Sequence, residues 1–333
     1  MKAESTESGP LISVIIVNWN TRRLLKECID SIPAGAGDME VETFVVDNGS
    51  DDGSCEMVRR EHPEVILMEN RENLGFAAAN NQALRLFRGR YALLLNSDAA
   101  LSEGSLQRVV QFAEENPKAG VVGCRVLNTD GSLQVSCMRY PDVRGLLGSA
   151  LFLPRLFPGC SWLGHEDLVW WDHNEEKEVE VIKGCFMLVR AEAVREVGVL
   201  DESFWLYGEE TDWCYRMKKA GWQLKFTPAA SIVHHGGAST DLMPGGIHHQ
   251  LWGAKLQFIA KHRSWLSLQL CCMAVALWFV VRTLVSLVFP LTGRASFSVA
   301  LRRAAWNGTG FWKLLRHGPM SLVKTPAVIQ SMI

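Results

Sequence analysis

The feature that most constrains this chain is a series of short apolar, β-branched runs, each stopping abruptly at a polar turn. Leu11 to Val17 is apolar apart from Ser13 and ends in Asn18-Trp19-Asn20. Val41 to Val46 ends in Asp47-Asn48-Gly49-Ser50, and Tyr91 to Leu95 ends in Asn96-Ser97-Asp98. Runs of this length without polar alternation read as strands buried on both faces, the pattern of a parallel sheet. Val65 to Met68 and Val121 to Val126 read as two further strands. Between them, Thr21 to Ile32, Leu74 to Phe87 and Leu106 to Ala113 have helical spacing. Strand and helix alternating in this way predict an α/β fold, a mostly parallel central sheet with helices on both faces. Ligands of such sheets bind beyond the carboxyl ends of the strands, and the three polar turns are expected to meet there.

Regularity is lost from Met138 to Glu180, a stretch of Pro, Gly and Trp that includes the apolar segment Leu146 to Phe157. It returns with a strand over Val181 to Val189 and a helix over Glu209 to Ala220 that Gly221 ends. Two short strands over Trp222 to Phe226 and Ser231 to Val233 follow, then a helix over His248 to Arg263.

Charge divides the chain more sharply than its net value of -2 suggests. Beyond Asp241 there is no Asp or Glu, and ten Lys or Arg give residues 242–333 a charge near +10. A basic, apolar tail behind an acidic globule points to an anionic surface. Ser264 to Val281 carries no charge and is just long enough to cross a bilayer, Arg282 follows, and a second apolar segment runs to Leu291. Lys255, Lys261 and Arg263 precede the run, and Arg294, Arg302 and Arg303 follow it. Basic flanks on both sides do not favour a single crossing. The expectation is a re-entrant or in-plane pair of apolar helices on the cytoplasmic leaflet, with a crossing helix and a buried core helix as the alternatives. Trp306 and Trp312 in a basic tail also raise nucleic acid, but the apolar run fits a membrane better and no nucleic-acid partner is expected. Met1 to Pro10 lacks an apolar stretch, so no secretory signal is expected. The nine cysteines form no CxxC pair and read as reduced, buried thiols.

Several residues have types that carry chemistry. Asp98, directly after a strand, suits a hard cation such as Mg²⁺ or Mn²⁺, which pairs a carboxylate with substrate phosphates; a helix cap is the structural alternative. Asp47 is placed to read a sugar hydroxyl or a base N–H, or else to form an Asx turn. Gly75 lets backbone approach a ligand at a helix start. Glu209, Glu210 and Asp212 form an acidic cluster in which one acid raises another's pKa, giving a general base; acids enriched at a helix N-terminus are the structural alternative. His234-His235 after a strand offers a metal ligand or a capping pair. His248-His249 has no Cys or Glu at zinc-site spacing.

Taken together, eight stretches resemble the inverting family-2 glycosyltransferases of the GT-A fold, and bacterial rhamnosyltransferase-like members that build cell-surface polysaccharides above all. They are Ser13–Asn20, Val45–Ser54, Asn73–Asn80, Leu93–Asp98, Gly184–Arg190, Leu200–Phe204, Tyr207–Asp212 and His234–Gly237, in the family's order and spacing. The resemblance covers about residues 11–263. It implies a GT-A catalytic domain over 11–240, with a nucleotide-sugar half over 11–127 and an acceptor and catalytic half over 128–240, and a helical, membrane-associated region over 241–333. Asn18, Asn20 and Asp47 would contact the nucleotide, with Asp47 on the base. Asn73, Gly75 and Asn80 would line the donor site. Asn96 and Asp98 stand at the family's DXD-type motif, with Asp98 on the metal and Asn96 a departure from its acidic form. Glu210, after Glu209, stands where the family places its base, and Asp212 completes the cluster. His234 aligns with a histidine that approaches the metal or diphosphate, with His235 as the reserve candidate.

The implied reaction moves a sugar from a nucleoside-diphosphate donor, dTDP-rhamnose by family likeness, to a glycan acceptor linked to polyprenyl diphosphate. A nucleotidyltransferase would need a Gly-rich, basic signature after the first strand, which Asn18-Trp19-Asn20 is not. A membrane-bound sugar-nucleotide-binding protein without catalysis could dispense with the acids near 210.

Overall fold

The computed structural model of the chain describes residues 11–162, 166–237, 248–288 and 297–323. The segment before Leu11, the sequence around Asp241, the end of the second apolar segment at Leu291 and its flanking Arg294 lie outside the described residues. Those described form two compact units.

The first unit holds residues 11–138, 173–205 and 209–237. Its chain alternates as expected through β1 (Ile12–Asn18), α1 (Arg22–Ala36), β2 (Val41–Asp47), α2 (Ser54–Glu61), β3 (Ile66–Glu69), α3 (Phe76–Leu84) and β4 (Tyr91–Asn96). A three-residue strand β5 (Ala99–Leu101) leads to α4 (Ser105–Glu115) and β6 (Ala119–Leu127). Short strands β7 (Leu133–Gln134) and β8 (Cys137–Met138) follow. The second unit supplies α5 (Val143–Ala150) and α6 (Leu153–Leu156) before the first resumes with β9 (Lys177–Glu178) and β10 (Val181–Ile182). The first unit then completes with β11 (Phe186–Arg190), α7 (Ala191–Val197), α8 (Glu209–Lys219) and β12 (Gln223–His234).

The main sheet runs β3-β2-β1-β4-β11-β6-β12-β5. β1 pairs in parallel with β2 and β4, β2 with β3, and β6 with β12, whereas β11 lies antiparallel between β4 and β6. Side chains alternate faces along a strand. Ile12, Val14, Ile16, Val45, Leu93 and Leu95 turn to one face and join Leu25, Ile29, Leu106 and Val109 of α1 and α4 in the main core. Ile15, Val46 and Leu94 are buried on the other face, where α3 packs on β1 and β2. This is the doubly covered sheet that the unbroken apolar runs require.

Two strand readings are corrected. Val181 to Val189 is not one strand: β10 pairs with β8 in a separate two-stranded sheet, and β11 starts at Phe186 in the main one. Lys183 to Cys185 makes the crossing; the Lys183 N–H bonds the Ser136 carbonyl, and a Cβ on Gly184 would lie 3.3 Å from the Phe76 ring. Conversely, the two short strands expected over 222–233 are one strand, β12. Its register slips between Thr227 and Ser231, around Pro228, which has no N–H for the ladder.

The second unit holds the described parts of 139–172, 206–208 and 244–333, so residues 139–172 cross the division at 240/241 drawn from the sequence. It contains α5, α6, α9 (His248–His262), α10 (Trp265–Val288) and α11 (Phe297–His317). The expected pair of apolar helices is a correction: α10 is one uninterrupted helix that continues past Arg282. The Arg282 guanidinium leaves the apolar face by reaching the Ser149 carbonyl at 3.1 Å and lying 3.4 Å from the Phe152 ring centroid. α10 is long and apolar enough to cross a membrane, with mean hydropathy 2.2 over its best stretch. Its burial is one-sided. Cys271, Ala274, Val275 and Phe279 are buried, while Leu266, Leu270, Met273, Val280, Leu284 and Leu287 form an exposed stripe at helical spacing. All nine cysteines are free thiols, seven of them buried.

Candidate active site

The register of the parallel strands sets the site. Asn18 faces Asp47 across β1 and β2, and Val17 faces Asn96 across β1 and β4, so the three polar turns leave the sheet at one level. The antiparallel β11 starts at the same edge, since the Asn96 N–H bonds the Cys185 carbonyl at 3.2 Å.

On the β1–β2 side the polar groups are bound largely to one another. The Asn18 amide donates to Asp47 Oδ2 at 2.7 Å and to Ser50 Oγ at 3.1 Å, and its carbonyl accepts from Thr21 Oγ1 at 2.7 Å. Asp47 Oδ1 accepts the Ser50 N–H at 2.8 Å, the Asx turn that the sequence left open. Both residues are buried. Asn18 therefore holds Asp47 in place, and a ligand meets only the acceptor capacity that Asp47 has left. Asn20 sits at φ +53 with its backbone N–H on Ser50 Oγ and its side-chain Oδ1 accepting from the Asp51 N–H, so it shapes the turn.

A second group of amides surrounds Asn48, which the sequence reading did not single out. Its Nδ2 reaches Asn73 Oδ1 at 3.3 Å and the Gly75 carbonyl at 3.2 Å, and its Oδ1 accepts from Asn70 at 2.9 Å. Asn73 also caps the Gly75 N–H. Gly75, at φ +87, has Trp205 against the position a side chain would take: a Cβ would lie 2.3 Å from the Trp205 carbonyl oxygen. Its lack of a side chain thus serves packing against Trp205. Asn80 is buried and donates to the Phe76 carbonyl one turn back on α3. Its neighbour Asn81 ties α3 to the Leu200 backbone in both directions. Asn73 and Asn80 therefore brace the start of α3 by side-chain hydrogen bonds, and Gly75 by its packing on Trp205.

At the end of β4 the chemistry changes. His234 Nε2 lies 3.0 Å from Asp98 Oδ1 and 3.2 Å from the Asn96 amide, while His234 Nδ1 is 2.5 Å from Gln134 Oε1. β5 and β12 produce this arrangement by pairing Ala99 with His234, and the His235 N–H bonds the Asp98 carbonyl at 3.0 Å. The Gln134 Oε1 contact at Nδ1 orients the ring so that Nε2 faces the carboxylate. A histidine oriented by an outer acceptor and set beside a carboxylate is an arrangement that a divalent cation can use. Among the described residues no group of three or more His, Cys, Asp and Glu could hold a metal. Asp98 and His234 thus offer two protein ligands, as Mg²⁺ or Mn²⁺ requires when substrate phosphate and water complete the shell. His235 is turned away, 3.9 Å from Glu27. Gln134 left no sequence signal, because its role depends on a hairpin from β6 to β7 that brings it back to β12.

The acidic cluster separates into two roles. Asp212 is fully buried and pairs with Arg216 Nε at 2.7 Å, whose other nitrogens bond the Val197 and Val199 carbonyls. Through Arg216, Asp212 ties α8 to the end of α7. Glu209 and Glu210 are both buried at the first turn of α8, and Glu209 Oε2 has no hydrogen-bond partner. Burial, and then the Glu210 charge, hold the Glu209 carboxyl well above the ordinary range. The buried pair therefore keeps a proton that an exposed carboxylate would lose. α8 packs on β10, which ends two residues before the Gly184–Cys185 link that touches Asn96.

Residues 13–142 match the model of Glycosyl transferase family 2. An N-acetylglucosaminyl-diphospho-decaprenol L-rhamnosyltransferase of Mycobacterium tuberculosis is 28% identical over 274 residues, 77% of this chain and 86% of that one. A succinoglycan biosynthesis protein of Rhizobium meliloti is 25% identical, covering 96% of this chain and 91% of its own. A mannosyltransferase of Pyrobaculum calidifontis, solved in complex with GDP-Man and Mn²⁺, superposes with a TM-score of 0.53 at 18% identity over 95% of this chain and 85% of that chain. The fold is GT-A, and the chain is a glycosyltransferase whose residues 13–142 match glycosyl transferase family 2.

Proposed function

We propose that the chain transfers a sugar, rhamnose from dTDP-rhamnose as the leading candidate, to a glycan acceptor carried on polyprenyl diphosphate at the cytoplasmic face of a membrane. The observation that carries the reading is the Asp98–His234 pair oriented by Gln134, with the buried Glu209–Glu210 pair as the candidate base. Asp98 and His234 would hold Mg²⁺ or Mn²⁺ together with the donor diphosphate. When bound, such an ion neutralises the charge that develops on the leaving nucleoside diphosphate.

Asp47 would face the base, and the amides around Asn48 and Asn73 would form the wall behind the donor. The Glu210 carboxylate takes the proton of the acceptor hydroxyl as its oxygen bonds to the anomeric carbon. The bond from that carbon to the diphosphate breaks, and its electrons leave on the phosphate oxygen. One displacement inverts the anomeric centre, with no protein nucleophile; the proton kept by the Glu209–Glu210 pair holds it at a single negative charge.

The donor is suggested by the mycobacterial relative, whose name also specifies a diphospho-decaprenol acceptor. The exposed apolar stripe of α10, in a region whose charges are all basic, favours a helix lying in the membrane plane. A thermal-shift screen of nucleotide-sugars with Mg²⁺, Mn²⁺ or EDTA tests the reading. A metal-dependent rise with dTDP-rhamnose is expected. A rise with another donor replaces the sugar, and no metal-dependent rise with any donor refutes the donor and metal assignment.

A further inference from the structure

The second unit presents a further outward face, on α11, that sugar transfer does not use. Leu301, Ala305, Gly308, Trp312 and Leu315 follow one another at spacings of three and four residues, which places them on one stripe of the helix. Leu301, Trp312 and Leu315 are exposed large apolar side chains. Arg302, Thr309, Lys313 and Arg316 each follow a stripe residue by one position and are exposed, so a basic ridge runs beside the stripe. The Arg316 guanidinium lies 5.1 Å from the centre of the Trp312 ring and joins the two.

The opposite face of α11 is already taken. Ala304, Asn307, Gly310 and Leu314 are buried. The Trp306 ring stacks on His249 of α9 at 3.8 Å, and a Cβ on Gly310 would lie 2.5 Å from the Phe279 ring of α10. Packing on α9 and α10 therefore fixes which face α11 turns outward.

Charge selects what covers that face. α11 carries four Lys or Arg, and residues 242–333 contain no Asp or Glu. A symmetric contact between two copies of α11 would set ridge against ridge, with no carboxylate on the helix to separate the cations. Nucleic acid would neutralise the ridge and leave Leu301, Trp312 and Leu315 in water. An anionic lipid leaflet takes both: the cations meet its headgroups, and Trp and Leu enter the boundary with the acyl chains.

We propose that α11 docks in the plane of an anionic lipid leaflet, with Leu301, Trp312 and Leu315 below the headgroups and Arg302, Lys313 and Arg316 among them. This rests on the membrane part of the proposed function, and adds to it a selection for negatively charged lipid. The donor and the metal play no part.

The test is flotation of the full chain, diluted from neutral detergent into EDTA buffer, with two kinds of vesicle. One is phosphatidylcholine alone and the other is phosphatidylcholine and phosphatidylglycerol in equal parts. Each Lys or Arg at such a surface strengthens binding about fivefold, so the wild type should favour the anionic vesicles by on the order of 100-fold, less at high salt. The combined variant Arg302→Gln, Lys313→Gln, Arg316→Gln should lose most of that preference and bind phosphatidylcholine as the wild type does. All three side chains are exposed, and circular dichroism reports the helix content of the variant. Trp312→Ser should weaken binding to both vesicles by about tenfold. Equal binding of the wild type to the two vesicles, or a preference that survives the triple substitution, overturns the proposal. Tighter binding of a duplex oligonucleotide than of the anionic vesicles would assign the ridge to nucleic acid and overturn it too. Binding to phosphatidylcholine without preference removes only the role of α11 and leaves α10 in the membrane plane. A failed donor screen leaves all these results unaffected.

Discussion

His234 Nε2 stands 3.0 Å from Asp98 Oδ1 because its other ring nitrogen is anchored on Gln134 Oε1 at 2.5 Å. The carboxylate comes from the turn after β4, the imidazole from the end of β12 and the anchor from β7, three elements that the sheet gathers at one edge.

Gln134 is therefore a positioning residue. Gln134→Leu removes the Nδ1 partner and should lower metal affinity about 10- to 100-fold, the cost typical of a lost outer-shell partner. Transfer rate against Mn²⁺ concentration reads this directly. Added Mn²⁺ should restore most of the rate, and Gln134→Glu, which keeps an acceptor, should retain affinity. A rate loss that saturating metal does not recover would assign Gln134 a different role.

Asp212 should behave as structure. Removing one partner of a buried ion pair strands the other, and because Arg216 is 22% exposed the loss should be roughly 2–3 kcal/mol, below that of a fully buried pair. Denaturant unfolding of Asp212→Ala should show that loss, and Arg216→Met in the same chain should recover part of it. Stability equal to wild type with abolished transfer would keep Asp212 in the catalytic set.

The raised Glu209 carboxyl makes a prediction about pH. A group whose pKa is higher folded than unfolded stabilises the fold below its unfolded pKa, and this contribution is lost as pH rises toward the folded value. The wild-type melting temperature should therefore fall from about pH 5 upward more steeply than that of Glu209→Gln, which has no proton to lose. Parallel melting curves for the two proteins from pH 5 to 9 would mean that Glu209 is ionised in the fold.

Gly75→Ala should destabilise by about 2 kcal/mol, from strain at φ +87 and from overlap with the Trp205 carbonyl. That carbonyl also accepts the Phe76 N–H at 2.9 Å, so the start of α3 must shift with it. Chemical denaturation checks the value, and wild-type stability would show that the start of α3 yields there.

The sequence made the parallel half of the fold legible because strands buried on both faces have no polar alternation to confuse, and their ends at Asn18, Asp47 and Asn96 were marked by turn chemistry. What it concealed depended on partners far along the chain. Gln134 and Asn48 are ordinary amides until β12 and Asn73 are placed beside them. The break at Lys183–Cys185 lies inside an apolar run, where a change of sheet leaves no periodic trace. Asp212 was grouped with its neighbours because all three acids open one helix, yet its partner is Arg216 one turn later. Arg282 looked like the end of an apolar helix and instead turns aside onto Phe152 while the helix continues.

The most direct measurement is donor binding and sugar transfer by Glu210→Gln, with Mn²⁺ present. Donor affinity within a few-fold of wild type, with transfer reduced about 10²- to 10⁴-fold as for loss of a general base, is the predicted result. Transfer at the wild-type rate by Glu210→Gln would contradict the assignment of the base and with it the reading of the Glu209–Glu210 pair.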